Sequence, residues 1–162
     1  MSILQIQTGV DNPILRKKSS KVLQITKDLK KLVKDMQDTL HLDGIGLAAP
    51  QVGVNSRIIL VTLNSGQKNA NTVIMVNPEI LFFSEEKTFA EEGCLSLPKI
   101  FEKVERAKSI IVKYQDLNMR EHLLNLSNIN ARITQHELDH LNGVLFLDRV
   151  FVSKTYFKEK SI

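Results

Sequence analysis

Two histidines with a glutamate directly after the first stand in the run Gln135-His136-Glu137-Leu138-Asp139-His140. Residues four apart share one face of a helix, so His136 and His140 can each direct a ring nitrogen at one cation. Glu137 sits one position round the helix, suited to work on a water beside that cation and not to ligate it. The chain has only four histidines, and an accidental match has odds on the order of one percent. The chemistry such a pattern supports is metal-assisted hydrolysis.

A hydrolytic site of this kind needs at least a third protein ligand and one position open to water. A metzincin pattern would place a third histidine six residues after His140. Gly143 falls where its glycine belongs, but Phe146 stands at the ligand position. A thermolysin-like site would take a carboxylate from a following helix, but Glu159, in a short tail, is the only Glu downstream. His41, His122 and Cys94 remain. Cys94 is favoured, because a thiolate binds a borderline metal strongly and a nearby cation depresses its pKa. As the sole cysteine it has no partner for an intramolecular disulfide.

The elements that must position these groups are legible from apolar spacing. Leu29, Leu32, Val33, Met36 and Leu40 recur at helical intervals between Lys and Asp, predicting an amphipathic helix over Thr26 to His41, with Thr26 as cap and Asp43-Gly44 as stop. A second helix is predicted from Asn128 to Leu141, with Gly143 just past its end. The β-branched runs 57–63, 72–76 and 109–114 read as strands, with 80–83 and 121–126 as weaker candidates. Asn64-Ser65-Gly66 and Asn77-Pro78 read as turns between them, and the small-residue run 44–51 as irregular. One helix early, strands in the middle and one helix late suggest an α+β architecture. Residues 153–162 are expected to form a short helix or tail on a single catalytic domain spanning 1–162.

Composition restricts the rest. Hydrophobic residues make up 43% and charged residues 25%, ordinary globular usage. No uninterrupted apolar stretch exceeds four residues, against the roughly 20 that span a bilayer. Neither a membrane partner nor a secretory signal at Met1-Ser2-Ile3-Leu4-Gln5 is expected. The net charge of +4 is spread out, and with no Trp and two Tyr a stacking platform for single strands, or sequence-specific nucleic-acid binding, is not expected.

Three segments taken together go further. Gly44-Ile45-Gly46-Leu47-Ala48-Ala49-Pro50-Gln51, Glu92-Gly93-Cys94-Leu95-Ser96 and Gln135-His136-Glu137-Leu138-Asp139-His140 resemble, in order and spacing, the three signature motifs of peptide deformylases. Pro13-Ile14-Leu15-Arg16, Val76-Asn77-Pro78, Leu141-Asn142-Gly143 and Leu145-Phe146 extend the similarity over nearly the whole chain.

The resemblance implies an enzyme that removes the formyl group from N-formylmethionine of newly made polypeptides and releases formate. It implies a fold of antiparallel sheets around a central HExxH helix. By motif match, Cys94, His136 and His140 would ligate one divalent metal, Glu137 would be the general base, and Gln51 with the backbone N–H of Leu95 would hold the developing oxyanion. Fe2+ is the expected native ion, and the ligand set equally suits Zn2+, Ni2+ and Co2+. Gly44, Ile45 and Gly46 are expected along the substrate, the glycines where backbone approaches closely or takes positive φ. Ile129 and Ile133 share the ligand side of the helix and could line an apolar slot for methionine. Where many members carry Arg seven residues after the ligand cysteine, this chain has Phe101, which bears on how the peptide beyond methionine is gripped. Arg106 is expected to pair with Glu92 behind the ligands. The implied setting is the bacterial cytoplasm, or an organelle after removal of a transit peptide, with transient ribosome contact. Two other classes, a general metallopeptidase and a catalytically silent binding protein, would differ in substrate range or in activity.

Overall fold

The computed structural model describes residues 2–150; the short helix or tail expected at 153–162 lies outside them. Chain order is α1 (Pro13–Arg16), α2 (Lys27–Asp43), β1 (Gly46–Ala48), a 3-10 turn (Ala49–Val52), β2 (Ile58–Leu63), β3 (Asn71–Phe83), β4 (Lys87–Cys94), β5 (Leu97–Ala107), β6 (Ser109–Gln115), β7 (Glu121–Ser127) and α3 (Asn128–Leu141). The strands form an antiparallel five-stranded sheet, ordered β1-β2-β3-β6-β7, and a separate β4-β5 hairpin. The fold is therefore α+β.

The continuous apolar run in β2 has a direct cause. Ile59 and Val61 face a core shared with Met75, Val112, Leu138 and Leu141, while Ile58 and Leu60 face a second core with Val33, Met36 and Leu40. A strand covered on both faces has no place for polar alternation. α2 closes one side of the sheet with its apolar stripe, and Thr26 caps it by accepting from the Leu29 N–H at 3.1 Å. α3 lies on the other side, against β1 and β2, and also touches β5 of the hairpin. A third apolar cluster, including Leu15, Leu97, Val104 and Phe146, ties the hairpin to α1 and to the residues after α3.

Three elements depart from the sequence reading. The strands expected at 72–76 and 80–83 are one strand, β3, because Asn77 and Pro78 make a bulge in the pairing with β6 and not a turn. Asn77 takes φ 49, and its side chain accepts from Val22 N and donates to Val22 O and Gln115 Oε1, all at 2.8 Å. Inside the run read as irregular, residues 46–48 pair with β2 as an edge strand. The hairpin escaped apolar spacing because many of its inward positions are not apolar: Glu92 and Arg106 are buried, whereas Phe89, Ile100 and Phe101 are exposed.

α3 ends with Asn142 as its cap and Gly143 beyond it at φ 72, the left-handed position that glycine fills readily. A Cβ at Gly143 would stand 2.7 Å from the carbonyl carbon of Arg16. Gly143→Ala is thus expected to combine backbone strain with a backbone clash and lower the unfolding free energy by more than about 1 kcal/mol, measured by urea denaturation. An unchanged midpoint would show that the turn relaxes freely.

Candidate active site

Cys94 ends β4 at a register shift: Gly93 pairs with Phe101, but Cys94 pairs with Leu97. The shift brings the thiol to α3, where Sγ lies 3.3 Å from His140 Nε2. His136 and His140, one turn apart, meet edge-on with ring centroids 5.1 Å apart. One donor atom from each of Cys94, His136 and His140 lies within 4.8 Å of the other two. Of the other ligand candidates, His122 bonds Asp116 at 2.7 Å and stacks on Tyr114, and His41 is exposed in the last turn of α2. Phe146 is buried and stacks on the His136 ring with centroids 6.0 Å apart.

Behind the cluster lies a buried ionic network. His136 Nδ1 is 2.8 Å from Glu92 Oε1, so with a proton on Nδ1 the lone pair of Nε2 is left for a cation. Arg106 donates twice to Glu92, at 2.7 and 2.8 Å, and once to Asp139 at 2.8 Å. Arg132 donates to the same Glu92 Oε2 at 2.7 Å, and to Val104 O, Thr88 O and Thr88 Oγ1. Arg149 closes the far end through two bonds to Asp139. Burial opposes ionisation of Glu92, but the hydrogen bonds and charge of Arg106 and His136 overcome it and hold the carboxyl far below its ordinary value. The Arg106–Glu92 contact matches the pairing expected from sequence. Arg132 and Arg149 were missed, although Arg132 stands one turn before His136 on the same helix face, a spacing that could have exposed it.

Glu137 is the group at odds with its surroundings. It is buried, and its Oε2 has no hydrogen-bond partner. Burial, aided by the charges of Glu92 and Asp139, pushes its pKa up to about 7, against the opposing pull of His136 and Arg106. Burial also drives His140 well below its ordinary value, keeping that imidazole neutral and able to ligate. Its Nδ1 is buried without a partner. A thiol, two imidazoles and an unpaired carboxylate edge are the donor set of a borderline transition-metal site with a base beside it.

Cys94, His136 and Glu137 open onto a cavity of about 750 Å³. Gln51 lies at its inner end, its Oε1 accepting from Ala48 N at 2.9 Å and its Nε2 directed at Cys94 Sγ (3.5 Å) and Ser96 Oγ (3.3 Å). Leu95, Gly44, Ile45 and Gly46 form part of the wall, and Ile129 and Ile133 another part, with Ile133 buried and Ile129 exposed. Of the two reasons expected for Gly44 and Gly46, positive φ is not the one the backbone shows. Gly44 has φ −145 and Gly46 is not among the positive-φ glycines. Gly46 faces Glu137 instead: a Cβ there would stand 2.8 Å from both Cγ and Cδ of that side chain.

An HExxH helix sharing a cation site with a hairpin cysteine, inside an α+β frame, defines a metal-dependent hydrolase. The sequence model of the family described as polypeptide deformylase matches residues 3–155. The chain belongs to the polypeptide deformylase family, whose members are metal-dependent and remove the N-formyl group from nascent polypeptides. A peptide deformylase of Thermotoga maritima is 43% identical over 152 residues, covering 93% of this chain and 90% of that one. The crystal structure of the deformylase from Thermotoga maritima superposes with a TM-score of 0.85 at 42% identity, covering 93% and 99%. A class I type b deformylase from Acinetobacter baumannii with bound Met-Ala-Ser gives a TM-score of 0.85 at 39% identity, covering 93% and 100%. No helix among the described residues is long and apolar enough to cross a membrane.

Removing one partner from a buried ion network leaves charge uncompensated. Arg106→Met is expected to cost about 3 to 5 kcal/mol of unfolding free energy at neutral pH, measured by denaturant titration. A loss below about 1 kcal/mol would show that Arg132 and Arg149 suffice.

Proposed function

We propose that the 750 Å³ cavity is where this chain removes the formyl group from N-formylmethionyl polypeptides, within one catalytic domain spanning 1–162. The observation that carries this reading is the placement of the buried, unpaired Glu137 carboxylate beside the Cys94, His136 and His140 cluster, at the inner end of a largely apolar cavity. Cys94 Sγ, His136 Nε2 and His140 Nε2 would hold one divalent ion, Fe2+ as the resident species, with Zn2+, Ni2+ or Co2+ able to replace it. When bound, that ion supplies Lewis acidity to water and to the formyl oxygen.

The residues of the chain do the rest. Glu137 accepts a proton from the attacking water; its raised pKa makes it basic enough to do so and acidic enough to pass the proton on near neutral pH. The water oxygen bonds to the formyl carbon, and charge grows on the formyl oxygen. Gln51 Nε2 and the Leu95 N–H donate to that oxygen in the transition state. The C–N bond then breaks, Glu137 returns the proton to the amine nitrogen, and formate leaves. Gly46 leaves the room that the Glu137 side chain needs. Ile129 and Ile133 take the methionine side chain, with Gly44, Ile45 and Gly46 along the peptide. The Met-Ala-Ser peptide in the Acinetobacter baumannii relative supports a site for chains that begin with methionine. A substrate that exists only on newly made chains favours the bacterial cytoplasm or an organelle as the setting, with transient ribosome contact.

Glu137→Gln is expected to abolish turnover while leaving metal content near one ion per chain, read by elemental analysis and a formate assay. Loss of the metal in that variant would reassign Glu137 as a ligand. The substrate is tested by formate or acetate release from formyl-Met-Ala-Ser and acetyl-Met-Ala-Ser with metal-replete enzyme. The formyl peptide should react at least about 100-fold faster, because a methyl group forced against ligands in a rigid site costs more than the 1 to 3 kcal/mol typical of a pocket that relaxes. Comparable rates, or no formate at all, would defeat the reading.

A further inference from the structure

The net charge of +4 conceals a division of the surface. Residues 13–34 carry eight Lys and Arg against one Asp, whereas the other 140 residues carry 14 against 17 acidic ones. Seven of the eight are lysines, and all seven are exposed. Lys27, Lys30, Lys31 and Lys34 recur at the i, i+3, i+4 and i+7 positions of α2 and so share one face, opposite the stripe through which Val33, Met36 and Leu40 enter the core. Val22 is buried in the same core cluster, which holds the segment carrying Lys18 and Lys21 beside the start of α2.

Nothing within the helix calls for these lysines. Like charges three and four residues apart repel, and Lys27 and Lys30 stand in the first turn, the end of a helix that disfavours cations. Among the described residues only Lys31 of the four reaches a carboxylate, Asp35 at 2.6 Å. A helix shaped by stability alone would carry acidic side chains at its start and mixed signs along its wet face. A local rule broken in this way, with no compensating contact inside the chain, marks a surface that serves a partner.

We infer that the α2 face bearing Lys27, Lys30 and Lys34, with Lys18 and Lys21 beside it, binds the phosphodiester backbone of double-stranded RNA. The choice of RNA rests on the reading of the chain as an enzyme of newly made polypeptides, whose synthesis takes place on RNA. Charges on successive turns stand about 5.4 Å apart along the helix, the scale on which phosphates follow one another along a strand. A lysine neutralises a phosphate as a point charge without reading a base. With no Trp and two Tyr the chain has little on which an unpaired strand could stack, so a duplex, recognised by its shape and phosphates, is the form that fits. A lipid surface fits less well, because the apolar stripe of α2 is buried in the core and Leu23, 82% exposed, is a single apolar side chain where stable anchoring takes more. Binding here leaves the cavity open: Gly44 on its wall lies ten residues past Lys34, about 15 Å along α2.

The test measures binding of the metal-replete enzyme to a short RNA duplex of mixed sequence by fluorescence anisotropy across a salt series. The logarithm of the association constant should fall against the logarithm of salt concentration with a slope of about −3, as three to four neutralised phosphates require. Combining Lys27→Gln, Lys30→Gln and Lys34→Gln should weaken binding at least about tenfold at low salt and flatten the slope to about −1, whereas Arg at the same three positions should preserve both. Lys68→Gln, Lys103→Gln and Lys108→Gln together make an equal change of charge elsewhere and should stay within about threefold of the parent. The α2 Gln variant should also hold or raise the thermal midpoint, because it removes repulsion within the helix; a lowered midpoint would give the lysines a structural role and overturn the inference. Equal weakening by both Gln sets, tighter binding to a DNA duplex of the same sequence, or binding to phosphatidylserine vesicles in place of RNA would overturn it as well. Formate release from formyl-Met-Ala-Ser should be the same in the parent and the α2 variants. Formate release without RNA binding defeats this inference alone, whereas no formate from the parent enzyme defeats the assignment of the cavity.

Discussion

The carboxylate of Glu92 accepts from two guanidinium groups and an imidazole while almost wholly out of water. An isolated carboxylate could not stay ionised there, and without it two buried guanidinium charges would lose their shared counter-ion. Each makes the other tolerable. The bonds run from β4 to β5 and to α3, so a single charged group locks the hairpin to the helix that bears both histidines. Cys94 lies two residues from Glu92 on the same strand, and its place beside His140 follows from that lock. Ion pairs of this kind add little to stability over an apolar core of equal volume. What they add here is orientation, because a hydrogen bond to a carboxylate has a direction that contact between methyl groups lacks.

Polar and apolar demands are kept apart along α3. Ile129 and Ile133 serve the cavity wall, Arg132 and His136 the ionic network, Leu138 and Leu141 the core against the sheet. A helix buried on nearly every side cannot show a simple apolar stripe, and its buried residues include Arg132, Thr134, Gln135, Glu137, Asp139 and His140. Glu137 alone among these carboxylates lacks a cationic hydrogen-bond partner. That isolation keeps its affinity for a proton high, whereas Glu92, held by Arg106 and His136, is unfit to exchange one. Glu92 and Glu137 thus take opposite roles through their neighbours, not through their type.

What could be read from the sequence followed physical rules with short reach. The helices at 27–43 and 128–141 were legible because Leu29, Met36 and Leu40, or Ile133 and Leu141, repeat at helical spacing and because Thr26 and Gly143 mark ends. The strand at 58–63 was legible because burial on both faces leaves an unbroken apolar run. The histidine spacing announced a cation site, and the choice of Cys94 as its third member came from ligand chemistry before resemblance strengthened it. The hairpin was not legible, since Glu92 and Arg106 occupy inward positions where a strand pattern calls for apolar residues, and their burial depends on partners distant in sequence. Asn77 misled for a similar reason. A local rule reads Asn-Pro as a turn, but hydrogen bonds to Val22 and Gln115 hold it inside a strand. Arg132 was overlooked although it stands one turn before His136, because its burial depends on Glu92 and Thr88, which are distant in sequence.

The separation of the site's parts along the chain also dictates when the site can come into being. Glu92 and His136 are 44 residues apart and Cys94 and His140 46 apart, and both histidines sit on α3, late in the chain. Long loops must close before these contacts form, and such closure is slow compared with forming a helix or a turn. During its own synthesis this chain can build the α2 layer and the first strands of the sheet early, yet it has no place for a cation until α3 has been made and docked. Metal capture is thereby a late event in maturation, and it rewards only a chain that has assembled its hairpin, sheet and final helix together.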